Sequence, residues 1–495
     1  MKKDEQPLGA ITRSIFLVVV VLLFALQLVP AWKNWSWQVP RLGWTPDHWV
    51  VPEWFYFGLA ILFCLAWQGL TRPLLGLVAA IVVAYGIPRY QPLSEWTFGH
   101  FTVESIIFVF LVACWTRHLG GKASKSRLLP LPAHHNWPLA GTLGRFALGA
   151  LAAHVIVSAI ANAAMESSGD WHWMGDLKHS PIRYLAGLAM CFCGVMCGRY
   201  VTLTSLGLIL VATIAMRLAL TTHFVRDADI AYVCVAVVPL AIGAAQISTK
   251  TVYAAIWWAI AAIGAAAVIA TANRGGAMGL VVSIVVLVFA GQRKARMLLL
   301  LLLCVGAIVM LPSWQGSSLA ERLENAWNQS DRDPTIRSRL DLWRASGRSL
   351  TGWQFLIGHG PGQGPRTIAI EQKTDELVAV HNTPLAVLVE LGVIGAMLWL
   401  SLLGAAAAMF WKDRQDSKFH EQDGARLNHI DRWSAAARLS ALGGMLGCGI
   451  AISRQDDPLM LFLVGTLLCR LQGVFRPGDW GGERFINSET TDCNG

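Results

Sequence analysis

The sequence predicts an all-α polytopic membrane protein with about fourteen (12–14) transmembrane helices and one long, partly helical extracytoplasmic loop. Three observations carry this prediction. The mean hydropathy is +0.49. Hydrophobic residues make up 55% of the 495 positions, against 14% that are charged. Many apolar runs also approach or reach the roughly 17–25 residues needed to cross a bilayer.

In chain order the candidate spans lie near 14–32, 54–70, 73–88, 100–115, 139–164, 182–198, 201–220, 230–247, 252–270, 275–291, 297–311, 384–411, 434–452 and 458–473. The first follows Lys2, Lys3 and Arg13, a basic flank that a cleaved leader would share. No small-x-small cleavage site follows and many spans do, so it is expected to remain as an uncleaved first helix. The expected organisation is N-terminal transmembrane helices over 1–199 and central helices over 200–311. An extracytoplasmic catalytic loop over 312–383, C-terminal helices over 384–473 and a cytoplasmic tail over 474–495 complete it.

The net charge of +9 does not imply nucleic acid, because no basic tract is interleaved with exposed aromatics. It follows instead from basic residues concentrated in loops on one side of the bilayer. With both termini in the cytoplasm, the cytoplasmic segments take Arg117, Lys122, Lys125 and Arg127, then Arg293, Lys294 and Arg296, then the basic residues from Lys412 to Arg432. In that orientation Arg274, wedged against Gly275 and Gly276, falls on the same outer face as the long loop, and Arg217 lies near the outer end of its helix. Cations so placed mark a functional site or snorkel to headgroups. Cys191, Cys193 and Cys197 share an apolar run without a matching His or carboxylate, so they read as small hydrophobes and neither a metal nor a cofactor is expected.

The long loop holds the chemistry. Its segment from Arg337 to Arg348 carries four arginines against one aspartate. At helical spacing Ile336, Leu340 and Trp343 form an apolar stripe, Arg337, Arg344 and Arg348 line another face, and Arg339 borders the tryptophan side. Such a helix lies on the membrane or on the bundle, and its arginines either meet anionic headgroups or clamp a diphosphate bidentately. The run from Gly358 to Gly364 is no Walker loop, since no Gly-Lys-Ser/Thr follows; it reads as a turn that brings backbone close to the bundle. Further on, Thr383 suits an N-cap and Pro384 the first helical position, which sets His381 just ahead of a helix's positive end. A neutral imidazole there accepts a proton from a sugar hydroxyl, a protonated one binds phosphate, and a lone loop histidine is otherwise a surface residue.

Asn273-Arg274-Gly275, then Arg339 with Trp343, then the glycine turn, then His381-Asn382 with Gly392 and Gly395, resembles the bacterial O-antigen ligase and O-antigen polymerase superfamily over roughly residues 200–455. Asn273 departs from the serine often found there in the family. The resemblance implies a metal-independent, inverting glycosyltransferase acting outside the cytoplasm. Its donor would be a glycan on undecaprenyl diphosphate, and its acceptor a hydroxyl of a glycan or lipid. Arg274 and Arg339 would then hold the diphosphate and His381 would activate the acceptor, with Arg337, Arg217, Asn382, Trp343 and Glu390 as the substrate-binding set. The alternative function is a lipid-linked glycan flippase. It calls for charged residues near the midplane and internal repeats, whereas the helix interiors here read as apolar and no repeat is evident.

Overall fold

The computed structural model describes residues 97–98, 101–102, 139–165, 181–197, 201–220, 228–271, 273–291, 334–374, 379–419, 425–453, 455 and 457–469. The expected spans at 14–32, 54–70, 73–88 and 297–311 lie outside the described residues. At the start of the expected span 100–115, Phe101–Thr102 (β2) pairs antiparallel with Thr97–Phe98 (β1), a two-residue pairing beside an otherwise all-helical architecture.

All other described elements are helices. Leu139–Met165 (α1), Pro181–Cys197 (α2), Leu203–Leu220 (α3), Ala228–Ile247 (α4), Thr251–Ala270 (α5) and Arg274–Ala290 (α6) match expected spans to within a few residues. The loop supplies Pro334–Ser349 (α7), Gln354–Ile357 (α8) and Gly364–Gln372 (α9). Thr383–Phe419 (α10), Ala425–Gly449 (α11) and Pro458–Leu468 (α12) complete the order. Helix α10 runs past the end of the expected 384–411 and α11 begins well before the expected 434–452, because backbone hydrogen bonding continues past the hydrocarbon boundary that hydropathy detects.

Among the described residues, four helices are long and apolar enough to cross a membrane: Ala140–Asn162, Asp229–Ile247, Thr251–Ala270 and Thr383–Lys412. The chain is thus a multi-pass membrane protein. Helix α4 forms the centre, buried from Ile230 to Ala245 and packed by α3, α5, α6 and α11. The most extensive pairing, α6 with α11, sets Gly279 against Gly444 and Cys448. Small residues let the backbones approach, which gives dispersion contact where lipid offers no hydrophobic drive. The outward faces of α1 (Ile156, Val157, Ile160), α5 (Val252, Ile256, Ile263) and α10 (Ile394, Met397, Leu400) are exposed and apolar, as lipid contact requires.

Helix α10 is broken at Gly392 (φ 65°, ψ −172°). A break within a span leaves carbonyls without their i+4 partners, and in hydrocarbon each must find another donor. Here the loop and α1 supply them. The amide of His359 donates to Val389 O at 2.9 Å and that of Gly360 to Glu390 O at 3.0 Å. His154 Nε2 donates to Leu391 O at 2.8 Å. Only glycine suits position 392, where φ is left-handed and an added Cβ would strike the Leu356 carbonyl and the Gly358 amide. Gly395 lies on the next turn, where a Cβ would collide with Leu391 and press on the His154 ring at about 3.0 Å. The expected glycine turn over 358–364 therefore does bring backbone to the bundle, docking into a broken span.

Candidate functional site

Helix α7 is held by a small core of its own. Leu342 and Ala345 pack with Ile368 of α9, Val380 and Ala386, and Trp343 and Leu385 flank them. The buried face therefore runs through Leu342, Ala345, Ser346 and Ser349, while Leu340 is 39% exposed, which corrects the expected stripe. Alanine and serine carry little hydropathy, so the true face was invisible to an apolar count; Ser346 and Ser349 satisfy their hydroxyls on Leu342 O and Ser346 O at 2.8 Å.

Two bonds pin the loop around this core. Trp343 Nε1 donates to Val380 O at 3.2 Å, fixing the residue before His381. His359 Nε2 donates to Ser349 O at 3.0 Å, tying the end of α7 to the glycine turn. Burial pushes the His359 imidazole below its ordinary pKa; the Ser349 bond and Glu371 partly oppose it.

His381 itself adopts φ 53°, a left-handed conformation uncommon for a side chain with a Cβ. Asn382 rather than Thr383 is the cap: Asn382 Oδ1 accepts from the Leu385 amide at 2.9 Å. The Thr383 hydroxyl, expected to cap, instead donates to Ile452 O at 2.8 Å. Asn382 Nδ2 donates to Ile450 O at 3.5 Å, so this side chain joins the start of α10 to the turn that follows α11. The His381 imidazole is half-buried, and its pKa is lowered from the usual 6.5, first by desolvation and second by the Arg339 guanidinium. Arg339 and His381 therefore lie within electrostatic reach of each other, and the histidine is held neutral near neutral pH.

The other arginines of α7 face elsewhere. Arg337 is exposed, and its offset of two residues places it on the opposite side of the helix from Arg339. Arg344 pairs with Asp341 at 3.3 Å and Arg348 with Glu371 at 3.8 Å, both in exposed positions.

Arg274 opens α6, where Asn273 caps by accepting from the Gly276 amide at 3.0 Å. The adjoining Gly275 packs against Ala451 and the Cys448 carbonyl. The Ile450–Ile452 turn that borders Gly275 also receives Asn382 and Thr383. Arg274 and His381 are thus each one residue from groups seated on a single turn. Arg217 lies in the last turn of α3, and its side chain is outside the described residues.

Glu390 is buried at 2% exposure, nine positions along α10 from His381. The Tyr184 hydroxyl donates to its Oε2, and Gln455 Nε2 donates to the same oxygen at 3.1 Å. Gly364 backs onto its other side, where a Cβ would lie 2.9 Å from Oε1. Glu390 thereby ties α2, the break in α10, the start of α9 and Gln455 into one buried knot.

Sequence reasoning missed the other half of this knot. His154, Ser158 and Asn162 recur every four residues along α1, so the span is not uniformly apolar, contrary to expectation. Ser158 Oγ donates to Ile357 O at 2.8 Å and Asn162 Nδ2 to Gly358 O at 3.3 Å. The stripe serves loop and break carbonyls, and its i, i+4, i+8 spacing was the available signal.

Residues 259–400, from within α5 to beyond Gly395, match the family model described as O-antigen ligase. That stretch contains Arg274, Arg339, Trp343, His381, Asn382 and Glu390. A curated O-antigen ligase of Pseudomonas aeruginosa is 29% identical over 147 residues, which cover 30% of this chain and 33% of that protein. The chain thus aligns with about a third of its curated relative's length. These two matches, falling on a chain with this fold and this order of residues, support the O-antigen ligase superfamily as its family.

Proposed function

We propose that the chain is a membrane glycosyltransferase that moves a glycan from a polyprenyl-diphosphate carrier to an acceptor hydroxyl, on the extracytoplasmic side of the bacterial inner membrane. The acceptor is a glycan or lipid hydroxyl, and the carrier in bacteria of this family type is undecaprenyl diphosphate. The observation that carries the reading is a half-buried His381, at the loop end of α10, whose pKa is depressed first by burial and second by the charge of Arg339. A neutral imidazole can take a proton, and a guanidinium beside it can grip an anion through two parallel N–H donors.

In the step proposed, the acceptor oxygen attacks the anomeric carbon while His381 takes the hydroxyl proton. A new C–O bond forms as the bond from the anomeric carbon to the diphosphate oxygen breaks. Arg339 and Arg274 stabilise the charge that gathers on the departing diphosphate, and Arg274 does so at the start of α6, where backbone N–H groups favour anions. Direct displacement inverts the anomeric centre, and the two arginines take the role that a metal fills elsewhere. Arg217 and Trp343 belong to the substrate region, with Trp343 acting through Val380 on the placement of His381, whereas Arg337, on the side of α7 away from Arg339, takes no part in the step. Glu390 and Asn382 act as positioning residues.

The test supplies the purified full chain with a polyprenyl-diphosphate oligosaccharide and an acceptor glycolipid. Release of polyprenyl diphosphate in step with glycosylated acceptor supports the reading. Unchanged donor alongside movement of intact lipid-linked glycan across vesicle membranes would support a flippase instead.

A further inference from the structure

The long loop contains a stretch that its hydrophilic character hides. Between Arg348 and Arg366 there is no Asp, Glu, Lys or Arg. Trp353 and helix α8 fall in this stretch, and Trp353, Phe355 and Leu356 expose 36%, 48% and 50% of their surface. In a water-filled loop such a patch would be costly, and its position explains it.

Two spans independently fix that position. Helix α8 runs into the break of α10, with the Leu356 carbonyl against Gly392. The apolar span of α10 from Thr383 to Lys412 has 30 residues, well beyond the roughly 20 that cross a hydrocarbon core. The portion from Gly392 to Lys412 alone suffices, so the bilayer boundary on the loop side falls near the break. On α1 the apolar span ends at Asn162, whose side chain donates to Gly358 O, one turn beyond the Ser158 bond to Ile357 O. Both helices thus place 356–358 at the level where their lipid-facing surfaces begin, marked by Ile394 on α10 and Ile160 on α1.

We propose that Trp353, Phe355 and Leu356 insert into the leaflet on the long-loop side, at the junction of headgroups and acyl chains, so that lipid covers this face. Tryptophan suits that depth, with an apolar body and one N–H for the polar side, while Phe355 and Leu356 reach the acyl chains. The consequence is positional. Through Ser349 and His359 the wedge is joined to α7, so its depth sets the height of Arg339 and His381 above the hydrocarbon. That is where a lipid-borne anionic headgroup would lie. The inference concerns the membrane and stands whatever reaction the site performs.

The test uses the full chain in phospholipid nanodiscs, with Phe355→Cys carrying a small uncharged fluorescent maleimide. Gln372→Cys, exposed at the end of α9, serves as comparator, and labelled wild type corrects for native cysteines. Phospholipid with a nitroxide on its acyl chain should quench the 355 probe several-fold more than the 372 probe, and aqueous iodide should do the reverse. Leu356→Cys should repeat the result, and size-exclusion profiles matching wild type confirm folding. Equal iodide quenching at both positions would overturn the proposal by showing the patch in water. A 355 probe that neither quencher reaches would overturn it too, because protein, such as a second copy of this chain, would then cover the face.

Discussion

At His381 the backbone, the burial and the nearest cation all act on one imidazole. The left-handed φ sets the ring's departure from the chain, desolvation disfavours its charged form, and Arg339 disfavours it further. His381→Ala should therefore leave the protein folded yet lower transfer by roughly 10²–10⁴-fold, the usual worth of a general base. Transfer should also rise with pH along an acid limb whose midpoint lies below 6.5, the ordinary histidine value. Arg339→Gln removes one of the two causes, so the limb of the residual activity should move upward while staying below 6.5; a limb unmoved by this change would disconnect the two residues. The sign for stability is the same: a depressed histidine contributes stability above its unfolded pKa that is lost as pH falls through the folded value. Arg339→Lys keeps charge but loses the planar fork, so donor affinity should fall, whereas Arg344→Lys, on the exposed face beside Asp341, should change little. The sequence made Arg339, His381 and their order legible through a resemblance. It did not reveal Asn382 as the cap, because Asn-Thr-Pro offers two good capping residues and the distant Ile452 carbonyl decides between them.

At the scale of elements, the account rests on the broken span. The lengths of the apolar runs gave the existence and rough ends of α1 to α6 and α10 to α12, since membrane-embedded helices are written in hydropathy. It could not give the break in α10, because the glycines at 392 and 395 are tolerated inside a continuous helix and the groups that compensate the break are remote in sequence, such as His154. Gly392→Ala must force a Cβ into left-handed φ and into the Leu356 carbonyl, so it should cost at least about 2 kcal/mol and reduce folded yield. Thermal unfolding in detergent measures this, and a variant as stable as wild type would show that α10 tolerates an unbroken path. Glu390→Ala leaves the Tyr184 and Gln455 donors facing a void in the buried knot, and a loss of about 1–3 kcal/mol for each unsatisfied donor is expected. Glu390→Gln keeps the shape and one acceptor, so it should lose less. Near-equal destabilisation by the two would mean that charge, rather than the hydrogen-bonded shape, holds the knot.

For the whole molecule, the loop helices, the break and the start of α6 converge on one end of the bundle, and the distribution of Lys and Arg is the basis on which that end is proposed to face away from the cytoplasm. Reporters fused at Gln292 and Lys418 are expected to report cytoplasm, and those at Gln329 and Gln372 the opposite compartment. Gln329 and Lys418 on the same side would undo that orientation. Because the diphosphate contacts are assigned to Arg339 and Arg274, transfer should also persist in excess chelator; activity lost to chelator and restored by a divalent ion would contradict the assignment. The most direct test of the central claim is the rate at which purified His381→Ala, matched to wild type and Arg344→Lys in amount and folding, transfers glycan from a polyprenyl-diphosphate donor. A transfer rate reduced by at least about 10²-fold, with donor binding largely retained and Arg344→Lys close to wild type, is the predicted result. A His381→Ala rate close to that of wild type would contradict the account and leave the residue a structural turn ahead of α10.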